Sequence, residues 1–350
     1  MGKLAILGLG LIGGSVGMAL KRAEPENTEI VGFDHKQEVM VRAHKAGVVD
    51  AIAVTIEEAV RDATMVIVCT PIVSMRKVFQ DIGPHLLKGA VVTDTASTKS
   101  DVLRWADEYL PKTASFVGGH PMAGKENQGL HNADEALFDD RPYCIVPSVD
   151  AVPGAVAAVV GLAEALRARP FYLDADEHDS YAAAISHVPL LTSVALFNLA
   201  HGSNAWPELA NMSGPGFRDL TRLASGEPEM AHDIFLTNRQ NVLHWLNRYI
   251  GELQKLSDLI ESREDTETLY RSLTTTQVER DRFLANPPSR NEAESPELPT
   301  STEAFMNLMT GTLVQQRAKE LTSFLEDQQR ERTEDDRIKQ RRRDIDDLDG

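Results

Sequence analysis

Lys3-Leu-Ala-Ile-Leu-Gly8-Leu-Gly10-Leu11-Ile12-Gly13-Gly-Ser-Val-Gly-Met-Ala-Leu20 decides how the chain folds. Residues 4–7 are an apolar run that reads as a buried strand, and from Ile12 the apolar residues recur at helical spacing. Between the two, Gly8, Gly10 and Gly13 stand at GxGxxG spacing. Gly8 suits the tight turn, Gly10 lets a pyrophosphate approach the backbone, and Gly13 lets the helix pack closely. Phosphates would then meet the N–H groups of Leu11 and Ile12 at the positive helix end. A glycine triplet can also be an ordinary turn that binds nothing. Here a second apolar run, residues 30–33, ends in Asp34 at the ~20-residue offset expected of a ribose-binding acid. The pattern predicts an α/β, Rossmann-like dinucleotide-binding domain.

The alternation of strand and helix continues outward. Residues 37–46 read as a helix, Val48-Val49 as a short strand before Asp50, residues 56–61 as a brief helix and residues 65–70 as a β-branched strand closed by Pro71. A helix over 73–82 and a buried strand over 90–93 follow, the latter running into Asp94-Thr-Ala-Ser97-Thr-Lys99. In such a sheet ligands sit outside the carboxyl ends of the strands, so Thr70, Pro71 and residues 94–99 should face the crevice of the glycine loop. Ser97 is open to a second reading, as a cap of the amphipathic run that ends at Leu110.

Phe116-Val-Gly-Gly-His120-Pro-Met-Ala-Gly-Lys-Glu126 places a histidine just after a short strand, held by Pro121 and glycines. Histidine is the natural base for an alcohol proton near neutral pH. Strand-like residues 143–147 and 171–173, flanking a helix over 152–167, complete a first domain of residues 1–174.

Residues 175–285 read as helices only. Residues 176–200 hold Ser186-His187-Val-Pro189, whose proline must kink or break the helix. Ser213-Gly-Pro-Gly-Phe-Arg218-Asp219-Leu-Thr-Arg222 is a glycine-proline loop that enters a short helix. Its two arginines either hold a carboxylate or pair with Asp219 and Glu227. Long amphipathic patterns over 229–260 and 266–284 fit pairing with a second subunit or packing within the domain. Residues 286–302, with four prolines, read as a linker; residues 303–325 read as a helix, and the charged residues to 350 as a solvated tail.

A net charge of −17 over 350 residues argues against nucleic acid and anionic membranes as partners. Cys69 and Cys144 each lie in an apolar run and read as buried free thiols, and nothing has metal-ligand spacing. The most apolar helical run, residues 151–166, is too short to span a bilayer. With a strand beginning at residue 3, no leader is expected, and the protein is expected in the cytoplasm.

Taken together, Gly8 to Gly13, Asp94-Thr-Ala-Ser-Thr-Lys99, Gly119-His-Pro-Met-Ala-Gly124, Ser186-His-Val-Pro189 and Gly216-Phe-Arg-Asp-Leu-Thr-Arg222 resemble, in this order, the prephenate and arogenate dehydrogenase family of tyrosine biosynthesis. The resemblance covers about residues 1–285 and implies a nucleotide-binding domain followed by a helical domain that forms a homodimer. It implies oxidative decarboxylation of a cyclohexadienol, with hydride passing to NAD. It also implies roles: His120 accepts the hydroxyl proton, Ser97 lies near that hydroxyl, Arg222 holds the substrate carboxylate, and Glu126 and Asp219 gate the pocket. Ser186 and His187 belong to the same substrate segment.

Two positions depart from the family pattern. Leu190 stands where many prephenate-specific members carry a second histidine, which makes the segment similar to cyanobacterial-type arogenate enzymes. Asp34 stands where NADP-preferring relatives have a small residue followed by arginine; a carboxylate there repels a 2′-phosphate, so NAD is expected over NADP. Two other readings are open: a 3-hydroxyacid dehydrogenase of similar build, which needs a lysine such as Lys255 on its helical domain, and a non-catalytic NAD-binding sensor.

Overall fold

The computed structural model describes residues 2–23, 27–125, 127–262 and 266–288. The chain opens with β1 (Gly2–Leu7), α1 (Leu11–Ala23), β2 (Thr28–Phe33), α2 (Gln37–Lys45), β3 (Ala51–Ile52), α3 (Ile56–Val60) and β4 (Met65–Val68). Next come α4 (Ile72–Ile82), β5 (Val91–Asp94), α5 (Ser100–Tyr109), β6 (Ser115–Pro121), β7 (Pro142–Pro147), α6 (Pro153–Ala165) and β8 (Arg169–Tyr172). The eight strands form one sheet in the order β3-β2-β1-β4-β5-β6-β7-β8. Residues 4–7 of β1 and all of β4 are fully buried, as expected of central parallel strands covered by helices on both faces.

Two details differ from the sequence expectation. The short strand beside β2 is Ala51–Ile52, not Val48-Val49. The two valines are buried in the turn before it, where Val48 N–H closes the end of α2 on the Ala43 carbonyl. The second concerns His120, expected just after a strand: β7 runs antiparallel to β6, and His120 faces Cys144 in register. Among the described residues no α-helix lies between the two strands, so the chain can turn back without the helical crossover that a parallel partner needs. This pairing extends β6 through Pro121, and His120 therefore lies within the strand rather than beyond it.

The helical part comprises α7 (Ala175–Ala182), α8 (Val188–His201), α9 (Trp206–Met212), α10 (Pro215–Thr221), α11 (Pro228–Thr237), α12 (Arg239–Glu261) and α13 (Thr266–Ala285). The described chain divides into two compact units between His178 and Asp179. Pro189 acts upstream of itself. Lacking an N–H, it leaves the Ile185 carbonyl without its helical donor, and the chain widens into a π turn over Ala183–His187, closed by Val188 N–H on the Ala183 carbonyl. The expected single helix over 229–260 is broken at Asn238. This buried side chain donates to the Asp179 carbonyl at 2.6 Å and lies 3.2 Å from His187 Nδ1. By length and composition alone Ala175–His201, rather than residues 151–166, could cross a membrane; Ala183 and Val188 within it pack on Val242 of α12. Apart from residues 286–288, the expected linker, following helix and charged tail lie outside the described residues, and so does Glu126.

Candidate active site

The glycine loop is built by backbone crowding on two sides and open space on a third. Gly8 has φ +94°, and a β-carbon there would sit 2.6 Å from the Cys69 carbonyl oxygen. At Gly13 a β-carbon would stand 1.9 Å from the Gly8 carbonyl oxygen. Nothing lies within 4 Å of the corresponding position at Gly10. Protein packing therefore explains Gly8 and Gly13 but not Gly10, where the open space leaves the backbone free for a ligand to approach. Leu11 and Ile12 are partly exposed at the start of α1, where the first N–H groups have no intrahelical acceptor. Asp34 follows β2 and its carboxylate accepts from the Leu9 N–H and from the Lys36 N–H, each at 2.9 Å. Thr70 follows β4, its hydroxyl oxygen buried without a hydrogen-bond partner, and the exposed Pro71 stands in the cap position before α4. These residues fit a dinucleotide: an open cradle, a helix start and an oriented acid.

Next to this loop the ends of β5 and β6 are locked by an ion pair that sequence reasoning missed. Asp94 and Lys99 are both fully buried and bonded to each other. Lys99 Nζ also donates to the Gly119 carbonyl at 2.7 Å, while the Gly119 N–H donates to Asp94 Oδ1 at 3.1 Å and the Ala96 N–H to Oδ2 at 2.8 Å. Both polar groups of the residue before His120 are thus clamped. Gly118 and Gly119 make room for this: a β-carbon at Gly118 would stand 3.1 Å from Lys99 Cδ, and one at Gly119 2.5 Å from the Asp94 carbonyl oxygen. Ser97 is half-buried in the loop after β5 and does not cap α5, which starts at Ser100 with Lys99 in the cap position. His120 is 7% exposed, and its Nδ1 lies 2.8 Å from His178 Nε2.

Both cysteines are free thiols in this unit; Cys144 is buried as expected, whereas Cys69, at the strand end, is only partly buried as a residue although its thiol is enclosed. Burial pushes the Cys69 thiol up to about 12 and the Cys144 thiol up to about 11. Neither is a thiolate at neutral pH, which removes both as nucleophiles.

In the helical unit Arg222 is exposed where α10 gives way to a tight turn, and Asp219 is exposed one turn earlier. That turn is tethered to α8, because the Ala224 N–H donates to the buried Ser193 hydroxyl at 3.2 Å. Ser186 is half-buried in the π turn, whereas His187 is fully buried with Nδ1 against Asn238. The structure thus gives His187 a place inside the helical core. Leu190 is buried as well. Lys255, the lysine a 3-hydroxyacid dehydrogenase would need, is exposed on α12 and paired with Glu252 at 2.7 Å.

Comparison with known proteins assigns both parts of the chain to one family. Residues 16–172 match the prephenate dehydrogenase nucleotide-binding domain, and residues 174–275 the prephenate dehydrogenase dimerization domain. A prephenate dehydrogenase of Bacillus subtilis is 35% identical over 79% of this chain and 75% of its own. A cyclohexadienyl dehydrogenase of Zymomonas mobilis is 32% identical over 75% of this chain and 89% of its own. Among solved structures, A. aeolicus prephenate dehydrogenase in complex with hydroxyphenyl propionate and NAD+ superposes with a TM-score of 0.75 at 29% identity, over 81% of this chain and 98% of that one. Synechocystis arogenate dehydrogenase superposes with a TM-score of 0.69 at 30% identity, over 80% and 99%. The chain belongs to the prephenate dehydrogenase family.

Proposed function

We infer that this protein is a cytoplasmic, homodimeric, NAD-dependent dehydrogenase that oxidatively decarboxylates prephenate to 4-hydroxyphenylpyruvate, arogenate to tyrosine, or both. Family membership supports the reaction, and one observation carries the assignment of its centre: a buried histidine on β6, in the same sheet whose β1 feeds the open glycine loop. Gly8, Gly10, Leu11, Ile12, Gly13, Asp34, Thr70 and Pro71 would hold NAD, which when bound would supply the acceptor for the hydride of the hydroxyl-bearing ring carbon. His120 Nε2 takes the hydroxyl proton, and Ser97 hydrogen-bonds the same oxygen. Loss of that proton strengthens the driving force for hydride departure, and loss of the ring carboxylate as carbon dioxide leaves an aromatic phenol. Arg222 orients the substrate carboxylate through a guanidinium that does not itself titrate. Asp219 and Glu126 control access to the pocket, Ser186 borders the substrate, and His187 supports that segment through Asn238. Leu190 and the likeness to the Synechocystis enzyme favour arogenate as at least one substrate.

The homodimer rests on the matched dimerization domain and on the surface of α12, where Tyr249, Leu253, Leu256 and Ile260 form an exposed stripe at spacings of four, three and four. A stripe of that period suits a second helix. The test is to assay the purified full chain with both cyclohexadienols and both cofactors, beside His120→Asn. Turnover of at least one substrate with NAD, reduced roughly 10²- to 10⁴-fold in the variant, is expected. Cofactor binding with turnover of neither substrate would mean a non-catalytic NAD sensor.

A further inference from the structure

His178 lies in the first turns of α7, immediately after β8, and is 1% exposed. Its position follows from the sheet. Leu173 N–H continues the β8 pairing onto the Ile145 carbonyl, and Leu173 shares a core cluster, against which Ala175 packs, with Val146 and Cys144, the residue paired with His120 across β6 and β7. Asp174 then starts the helix, its carboxylate accepting from the Glu177 N–H at 2.8 Å and its carbonyl from the His178 N–H at 3.0 Å. The imidazole of His178 is thereby delivered onto that of His120, with ring centroids 5.0 Å apart, ring planes at 65°, and the nitrogen pair 2.8 Å apart.

Two ring nitrogens at that distance share a single proton, so the pair has two arrangements. In one, His120 Nδ1–H donates to His178 Nε2 and His120 Nε2 carries a lone pair. In the other, His178 Nε2–H donates to His120 Nδ1, and a neutral His120 carries its proton on Nε2, where it cannot act as a base. We propose that His178 is a positioning residue for the reaction: as a neutral acceptor it holds His120 in the Nδ1–H tautomer and thereby aims a basic Nε2 at the substrate hydroxyl. This rests on the assignment of His120 as the base. When Nε2 takes the substrate proton, the imidazolium donates to His178 through a charge-assisted hydrogen bond, the part played by a carboxylate in other histidine dyads.

The test uses the full chain and the variants His178→Leu, His178→Gln and His120→Asn. A glutamine amide oxygen reaches where Nε2 of histidine stands and accepts the same proton, whereas leucine fills space without accepting. His178→Leu is expected to lower kcat by about 10²-fold, the low end of what a general base contributes, with KM for substrate and NAD little changed. His178→Gln should stay within about fivefold of the unaltered chain because the acceptor is retained. The double variant His120→Asn with His178→Leu should lose no more than His120→Asn alone, since both act through one group. Near-normal kcat in His178→Leu, or equal impairment in His178→Gln, overturns the proposal. Histidine ¹⁵N shifts of the unaltered, NAD-loaded chain give a readout that does not depend on the variants folding: a proton on His120 Nδ1 supports the proposal, and one on Nε2 with a bare Nδ1 overturns it. Near-normal turnover in His120→Asn would instead refute the underlying base assignment.

Discussion

The Leu9 N–H donates to Asp34 Oδ2 at 2.9 Å, so the acid after β2 and the glycine loop after β1 are held by one hydrogen bond. The carboxylate is oriented by the protein before any cofactor arrives, with the Lys36 N–H fixing its other oxygen. Asp34→Ala removes both the orientation and the negative charge. Efficiency with NAD should fall about 10- to 100-fold, as for loss of a charged hydrogen-bond acceptor, and the preference over NADP should narrow. Comparing kcat/KM for the two cofactors tests this, and an unchanged ratio would remove Asp34 from cofactor selection.

Arg222→Ala should chiefly raise KM for the cyclohexadienol, by roughly 10- to 100-fold, because a carboxylate contact present in both ground and transition states is lost. Arg222→Lys should recover only part of it, since an ammonium cannot make the bidentate contact. Steady-state kinetics decide the matter; a change confined to KM for NAD would assign the guanidinium elsewhere.

Removing either half of the buried Asp94 and Lys99 pair leaves an uncompensated charge. Lys99→Met and Asp94→Asn should each cost about 3–5 kcal/mol in urea unfolding, while the double variant should cost less than the sum. The single variants should also lower kcat, because the Gly119 peptide that precedes His120 loses its clamp. Unchanged midpoints would show that the charges are not matched as described.

The thiols set an alkaline limit. Burial raises Cys69 to about 12 and Cys144 to about 11, from an ordinary value of 9.0, so the folded chain keeps both protons where the unfolded chain has lost them. The contribution to stability is complete below pH 9 and disappears as pH rises through 11 and 12. Thermal midpoints should therefore fall above pH 9, and replacing both cysteines with alanine should flatten that fall. Native protein at pH 8 should react with a thiol reagent far more slowly than unfolded protein.

The cofactor half of the protein was legible from residue order because its constraints are local. Gly8 answers to its own positive φ and Gly13 to the Gly8 carbonyl five residues before it, Asp34 closes an apolar run, and a run such as residues 65–70, rich in β-branched side chains and closed by a proline, suits a buried strand. What escaped depends on partners distant in sequence. The direction of β7 has no signature within residues 142–147. Asn238 occupies a polar position that fits an amphipathic helix, and only the Asp179 carbonyl reveals it as a break. His178 stands among Asp176, Glu177 and Asp179, neighbours that give no sign of burial; its place against His120 comes from the β6 and β7 register. The one available hint was its place directly after the last strand of the domain.

The crowding at the glycine loop bears on which lesions evolution can repair. Gly14 faces the Leu130 side chain at 2.7 Å and the Ala133 methyl at 3.0 Å, so a larger residue there could be accommodated by trimming a neighbour. Gly13 faces the carbonyl of Gly8, and Gly119 the carbonyl of Asp94, main-chain atoms that every amino acid carries. Selection for second-site revertants should consequently recover compensating changes for the first position and only true reversion for the other two.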